Sequence, residues 1–488
     1  MTAWSRGYAA ASPYRIAFQV AQNPGHLAAV CAMAGVDWQP HEGLRVADLG
    51  CGRGHAVNAL AAANPDWTVL GLDSNPGQLA EGMELAARAG LGNALFLEAD
   101  LARLSEAELD RIAPLDVVML HGVWSWVSDE VRAGVVRFLR HCLKPGGIAY
   151  LGYNALPAAG VDFALQRLLR HLAGGGQDAA AAALAMERLR AMAPALKLRP
   201  SAMLARLLAE PPGLEPGFVA HEFLTAHWRP VFHEDLCDAL RPAKLDFVGS
   251  CNLFEALPAL YCETKEIALL EALPEGDALE FGRDLYLPRA FRADLFIRGP
   301  RRVNPAAAMG RLVLGVTRAL PAESPALGTG RASVAMAQPV WEALLAVLAA
   351  EEPLPLGEVR RRMGPAAPTL SELLAILIGT EHAAPIFRRP ERKPAATRFN
   401  LAAAAQHRWD EGGSFALASP VAAGGLPASG LELALAAALL EGADPAAPEA
   451  VARRLEPGLD EEEVARAAAR IAETWAERIP VWRRFGVI

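Results

Sequence analysis

Residues Val46–Leu60 read VADLGCGRGHAVNAL: an apolar run ends at an acid, Asp48, crosses three glycines spaced G-x-G-x-G (Gly50, Gly52, Gly54), and restarts with helical periodicity. A glycine-rich turn between a first strand and its helix receives a ligand, because backbone without a Cβ approaches closely and the first amides of the helix point outward. A nucleoside triphosphate needs G-x-x-x-x-G-K-[ST], but no lysine follows Gly54. A dinucleotide needs a third glycine where this chain has His55.

What remains is the acid ahead of the turn. It repels a pyrophosphate and suits a cationic ligand, and S-adenosylmethionine, with its sulfonium and ammonium, is such a ligand. Asp73 closes the next apolar run, TVLGLD, where a carboxylate can accept two ribose hydroxyls; Asp100 follows LFLEAD, within reach of an adenine amine. Three acids at three successive strand ends are more specific than the glycines alone.

Outward from the turn, strands are expected at Arg45–Leu49, Thr68–Asp73, Ala94–Glu98, Asp116–His121 and Ile148–Tyr153, with helices between them at Pro76–Ala89 and Asp129–Leu143. Such alternation predicts a parallel sheet with crossover helices. Pro13–Gly35 reads as a helical cap ahead of the sheet, and LKPGG (143–147) as the stop that feeds the fifth strand. Val161–Ala173 and Asp178–Leu207 read as a helical insertion. His233–Leu257 reads as helix, turn and strand, able to return to the sheet, and Gly282–Pro305 as a turn-rich, charge-mixed close.

From Val340 three short helices (Trp341–Ala350, Pro355–Arg362, Thr369–Gly379) and a hairpin over Ala384–Asn400 suggest a winged-helix-like module. Ser419–Gly430 reads as a linker, and Leu431–Arg484 as helical. The expected division is therefore 1–160 for the ligand-binding α/β domain, 161–217 for the insertion, 218–305 for a middle domain and 306–488 for a mainly helical C-terminal domain.

Composition narrows the function. The 488 residues exceed one core, so two or three domains are expected. A formal charge of −8, from 47 Lys+Arg against 55 Asp+Glu, with no long basic run, argues against nucleic acid as the main partner. Six scattered cysteines without C-x-x-C read as reduced thiols in a cytoplasmic protein, with neither disulfides nor zinc expected. The first residues lack an apolar signal core and no window reaches 18 uninterrupted apolar residues, so membrane insertion is not expected. H-E-x-x-H and G-x-S-x-G are absent, and no metal ligand set is expected.

DLGCGRG, LGLDSNPGQLAEG, LDVVMLHGVWSWV and LKPGGIAYLGYNALP together resemble class I S-adenosylmethionine-dependent methyltransferases. HGVWSWV (121–127), YAAASPY (8–14), FVAHEFL (218–224) and RDLYLPRAFRADLFIRG (283–299) resemble, more narrowly, the group with a methyltransferase regulatory domain, which includes rickettsial protein lysine methyltransferases. The resemblance spans roughly residues 8–300. It implies a Rossmann-like sheet with S-adenosylmethionine held by Tyr8, Tyr14, Asp48, Gly50, Cys51, Gly52, Gly54, Asp73, Ser74, Gln78, Asp100, Leu101 and His121. It also implies a protein as methyl acceptor, with a homodimer as a further expectation.

A methyl on a sulfonium is already activated, so the protein aligns the nucleophile and, for an amine, favours its neutral form. A lysine starts near pKa ~10.4, and a dry aromatic pocket lowers it. Trp124, Trp126 and Tyr153, with Tyr8 and Tyr14, are candidates for that pocket. His121 and Asn154, at the ends of the fourth and fifth strands, are candidates for proton transfer or acceptor orientation. No [DN]-P-P-[YFW] follows the fourth strand, which disfavours adenine or glutamine amide as acceptor. Three functions stay open: a protein-lysine methyltransferase, a methyltransferase of small metabolites, and a non-catalytic S-adenosylmethionine-binding regulator.

Overall fold

The computed structural model describes Gly7 and residues 15–211, 213–331, 333–348, 353–389 and 391–488. Its centre is a seven-stranded sheet formed by β1 (Arg45–Leu49), β2 (Thr68–Asp73), β3 (Ala94–Glu98), β4 (Leu115–His121), β5 (Leu143–Asn154), β6 (Asp246–Ser250) and β7 (Phe291–Ile297). The order is β3-β2-β1-β4-β5-β7-β6, parallel through β5, with β7 antiparallel to both β5 and β6. β1 and β4 are central and covered on both faces, which is why RVADL and LDVVMLH read as continuous apolar runs rather than alternating ones. The order reverses between β1 and β4, and outside the carboxyl ends of strands at such a reversal lies a crevice suited to a ligand.

Helix α1 (Pro24–Met33) precedes the sheet, and α2 (His55–Ala63), α3 (Pro76–Ala89), α4 (Glu106–Ile112) and α5 (Asp129–Cys142) cross over between its parallel strands. Asn75 caps α3 by accepting from the Gly77 and Gln78 amides, and Ser105 with Glu108 forms a capping box on α4. The insertion is helical as expected. α6 (Phe163–Leu172), α7 (Ala179–Met192), α8 (Ala202–Leu208) and α9 (Pro216–Phe223) share a small core of their own around Leu165, Leu169, Leu189 and Phe223. α10 (His233–Leu240) leads into β6, and α11 (Thr264–Glu271) and α12 (Asp277–Tyr286) precede β7.

The turn-rich reading of 282–305 is corrected: Phe291–Ile297 is an interior strand. Its disguise is charge. Arg292 and Asp294 have no exposed surface, and Arg292 donates to Asp294, Asp284 and Glu280 at 2.8, 2.9 and 2.8 Å. Arg289 donates to Asp284 at 2.7 Å and to Glu255 at 2.9 Å. Burying these charges is tolerable only because each finds its partners. The same strand ties residues 246–297 into the sheet of residues 45–154, so they complete one sheet rather than stand apart.

The C-terminal region is mainly helical. It contains α13 (Pro305–Arg311), α14 (Gln338–Leu348), α15 (Leu356–Met363), α16 (Leu370–Gly379), α17 (Pro394–Gln406), α18 (Gly430–Leu440), α19 (Pro448–Leu455) and α20 (Glu461–Arg484). Short strands accompany them: β8 (Leu314–Val316) pairs antiparallel with β11 (Ala383–Pro385), and β9 (Leu327–Gly328) with β10 (Ser333–Val334). The hairpin expected over 384–400 is replaced by β11 and α17, so the wing of the winged-helix expectation does not form there.

Ser419–Gly430, read as a linker, is instead most of a buried hairpin, β12 (Phe415–Ser419) with β13 (Gly424–Ala428). Its small residues serve close packing. A Cβ on Gly424 would sit 2.2 Å from Asn23 Oδ1, and one on Gly425 2.7 Å from the Ala416 Cβ and the Phe18 ring. The hairpin packs on α2, and one apolar core runs from Ile16 through the sheet's face to Val487.

Candidate functional site

The glycine turn is built by left-handed backbone. Gly50 and Gly54 have φ of +78° and +68°, which L side chains adopt at a cost. A Cβ on Gly50 would lie 2.5 Å from Val123, and one on Gly54 2.5 Å from the Phe96 ring. The turn is pinned from β2: the Leu72 carbonyl accepts from the Gly50 amide at 2.7 Å, and the Asp73 carboxylate from the Gly52 amide at 2.9 Å.

This turn forms one wall of a cavity of about 610 Å³ outside the carboxyl ends of β1, β2 and β4. Asp48, Gly50, Cys51, Gly52, Gly54, Asp73, Ser74, Gln78, Asp100, Leu101, His121, Trp126 and Asn154 all line it. Tyr8 and Tyr14 lie outside the described residues. Trp124 and Tyr153 do not belong to the cavity wall. Trp124 packs in the core with Leu120, Val131 and Phe138. Tyr153 is fully buried, its hydroxyl donating to Asp294 at 2.6 Å with His233 Nδ1 3.2 Å away. Both corrections have a geometric cause: neighbours on a strand face opposite sides, so Asn154 takes the cavity and Tyr153 the far face, and a single 3-10 turn, Trp124–Trp126, sends its two indoles apart.

The acids differ in environment. Asp48 is buried, and its pKa is pushed up to about 7 by burial and by the neighbouring Asp73; no ion pair reaches it among the described residues. Asp73 is raised by burial too, against amide bonds from Asn75 and Gly52. Its two oxygens take the Gly52 and Asn75 amides at 2.9 and 2.8 Å, and the Ser74 amide also bonds the carboxylate, which leaves acceptor capacity for a further donor. Asp100 accepts from the Ala102 amide at 3.0 Å. A cradle of amide-held carboxylates with one unneutralised buried acid fits a ligand that brings hydroxyls and positive charge.

Beyond the turn the wall changes character. His121 ends β4, its Nδ1 2.8 Å from the Tyr150 hydroxyl, and burial pulls its pKa down to about 4, so the ring is neutral with Nε2 left for the cavity. Gly152 makes room for it: a Cβ there would sit 2.7 Å from His121 Nδ1 and 2.9 Å from the Phe291 ring. Asn154 accepts from the Trp228 indole at 3.1 Å.

Several residues in this wall are not among the site candidates read from the sequence: Phe218, His221 and Glu222 of α9, Met203 of α8, and Phe291. Glu222 is the notable one. Burial raises its carboxyl to about 7, opposed by a hydrogen bond from Asn154 and helped by nearby Asp162. The Trp126 indole donates to its backbone carbonyl at 3.3 Å. FVAHEFL was visible as a stretch, but nothing local distinguishes a cavity glutamate from a surface one. Arg15–Gln19 also line the cavity, with the Arg15 guanidinium 5.8 Å from the centre of the Phe218 ring.

Comparison with known proteins bears on these elements. Residues 47–149 match the family model of a methyltransferase domain, and residues 215–298 that of a predicted methyltransferase regulatory domain. An uncharacterized protein of Synechocystis sp. is 26% identical over 455 residues, 88% of this chain and 87% of that protein. Trans-aconitate 2-methyltransferase of Methylobacterium nodulans is 37% identical over 103 residues, 21% of this chain and 35% of that enzyme. The fold is shared with PKMT2 from Rickettsia typhi, solved in complex with AdoHcy, at a TM-score of 0.71 and 16% identity over 97% of this chain and 100% of that one. The first family match covers β1 through most of β5 and the second covers α9 through β7, so this chain joins a methyltransferase domain to a methyltransferase regulatory domain on a Rossmann-like methyltransferase fold, with S-adenosylmethionine as cofactor.

Proposed function

We propose that this methyltransferase acts on lysine amines of a protein substrate. The observation that carries the proposal is Glu222: a half-buried carboxyl beside Asn154, with Trp126, Phe218, Met203 and Phe291 in the same cavity wall as the neutral His121. A carboxyl with a pKa of about 7 attracts an ammonium and can take up its proton, while the aromatic wall favours the neutral amine that attacks. The overall likeness to PKMT2, which extends through the insertion and the C-terminal region, supports the same reading.

S-adenosylmethionine, when bound, supplies a methyl group already activated on sulfur. For the chain's own residues we assign Asp48 to the ligand's positive charge, Asp73 to its ribose hydroxyls and Asp100 with Leu101 to its adenine. Gly50, Cys51, Gly52 and Gly54 give close backbone approach, and Ser74 and Gln78 flank the ribose. On the acceptor side Glu222 receives the amine, Asn154 fixes the Glu222 carboxyl, and His121 Nε2 orients the nucleophile.

An anionic small acceptor is the alternative that the Arg15 guanidinium favours, since it lies over the Phe218 ring and lines the cavity, whereas Glu222 with Asp162 nearby disfavours an anion. The deciding experiment incubates the purified protein with methyl-tritiated S-adenosylmethionine and lysate, then separates protein from small-molecule label and maps labelled residues. Label on protein lysines is the expected result. Label confined to small molecules, or none despite cofactor binding, overturns the proposal.

A further inference from the structure

Tyr153 leads away from the methyl-transfer cavity to a second cluster of reactive side chains. α10 carries His233 and Cys237 four residues apart, hence on one helical face. His233 Nε2 lies 3.3 Å from Cys237 Sγ. Asp277 opens α12, and the ligand atoms of the three residues all lie within 4.8 Å of one another. None of the three lines the methyl-transfer cavity.

The tautomer of His233 is fixed from behind. Its Nδ1 is 3.1 Å from Asp294 Oδ2, which also accepts the Tyr153 hydroxyl. Arg292 donates to both oxygens of Asp294, at 2.8 Å to Oδ2 and 3.3 Å to Oδ1. A carboxylate that already takes a hydroxyl and a guanidinium is the acceptor toward the ring, so Nδ1 carries the proton and Nε2 presents its lone pair toward Cys237 and Asp277.

We propose that His233, Cys237 and Asp277 form a binding site for a thiophilic divalent cation of the zinc class. Imidazole, thiolate and carboxylate are zinc's ligands, and three of them with an open fourth position make a complete three-ligand site. A carboxylate behind the ligating imidazole is the recurrent outer partner of metal-bound histidine. The spacing suits the geometry: bond lengths of ~2.0–2.3 Å put tetrahedral nitrogen and sulfur ligands about 3.5 Å apart, close to the 3.3 Å between Nε2 and Sγ. Thiolate and carboxylate together neutralise the ion, and His233 is buried while Asp277 is exposed, so the ion enters from solvent and keeps a water there. Metal binding would clasp α10 to α12 behind β5.

The test titrates chelator-treated, reduced full-length protein with Zn²⁺ by calorimetry and with Co²⁺ by absorption. One equivalent with a thiolate-to-cobalt charge-transfer band is expected, the band vanishing in Cys237→Ser. Asp277→Asn, at an exposed position that leaves the fold alone, should weaken binding at least about tenfold, as much as loss of an outer partner costs. Absence of the band in the unmodified protein overturns the site. So does a band that survives Cys237→Ser with unchanged affinity in both variants, since it would then come from another thiol.

Discussion

Asp48→Asn removes a charge and almost no volume from the cavity, and its consequence can be worked through. With a pKa of about 7 in the free protein, Asp48 is about nine-tenths protonated at pH 6 and about one-tenth at pH 8. Burial raises this carboxyl, so the free protein loses the group's stabilising contribution as pH rises through about 7, and a bound cation offsets that loss. A cation meets only the ionised form, so affinity for S-adenosylmethionine should rise about tenfold between pH 6 and pH 8, with about 0.9 proton released on binding at pH 6. In Asp48→Asn the pH dependence should disappear. Its affinity at pH 8 should be lower by about 1.5–3 kcal/mol, the worth of a hydrogen bond to a charged group, or roughly 10- to 150-fold. Calorimetry in two buffers of different ionisation enthalpy counts the protons. S-adenosylhomocysteine, which lacks the sulfonium, separates the partners: it keeps the dependence if the ammonium meets Asp48 and loses it if the sulfonium does. A dissociation constant for S-adenosylmethionine constant within threefold from pH 6 to pH 8, with no proton release, would refute the assignment.

Asp73→Ala should remove two charge-assisted bonds to the ribose at about 1.5–3 kcal/mol each; unchanged cofactor affinity by fluorescence titration would count against that placement. Gly54→Ala forces a side chain into left-handed backbone and against Phe96, costing at least about 1–3 kcal/mol and cofactor affinity with it; an unaltered thermal midpoint would contradict the geometry. Glu222→Gln, assayed at saturating cofactor so that Asp48 no longer titrates, should slow label transfer to protein about tenfold or more and flatten the rise in rate through pH 7. If the rate and its pH profile are both retained, Glu222 has no part in receiving the amine.

Residues 45–154 were legible because their signals are local: apolar runs of strand length, a glycine turn, and acids at three strand ends. β7 was not, because Arg292 and Asp294 look solvent-facing until α12 brings Asp284 and Glu280 to Arg292 and the distant Tyr153 and His233 reach Asp294. β12 and β13 were misread for the opposite reason, their small residues serving close packing against Asn23 and Phe18. At the site, strand-end position identified Asn154 but could not exclude its neighbour Tyr153, since facing depends on pleat and register. Glu222 depends on where α9 lands, and no spacing within the sequence reports that.

Ala17 bridges Ser414 in parallel, with the Phe18 amide donating to the Ser414 carbonyl at 2.8 Å and the Ser414 amide to Ile16 at 3.0 Å. The His55 ring, directly after the glycine turn, accepts from the Ala416 amide at 2.9 Å. A growing chain forms N-terminal structure first, yet here residues 16–18 of the cavity wall are anchored to residues made long after the central sheet. A nascent polypeptide that has completed all seven strands of its central sheet still lacks a closed cofactor cavity. A chain cut between β7 and β12 would therefore hold the glycine turn and its acids without the contacts that fix residues 16–18 and His55.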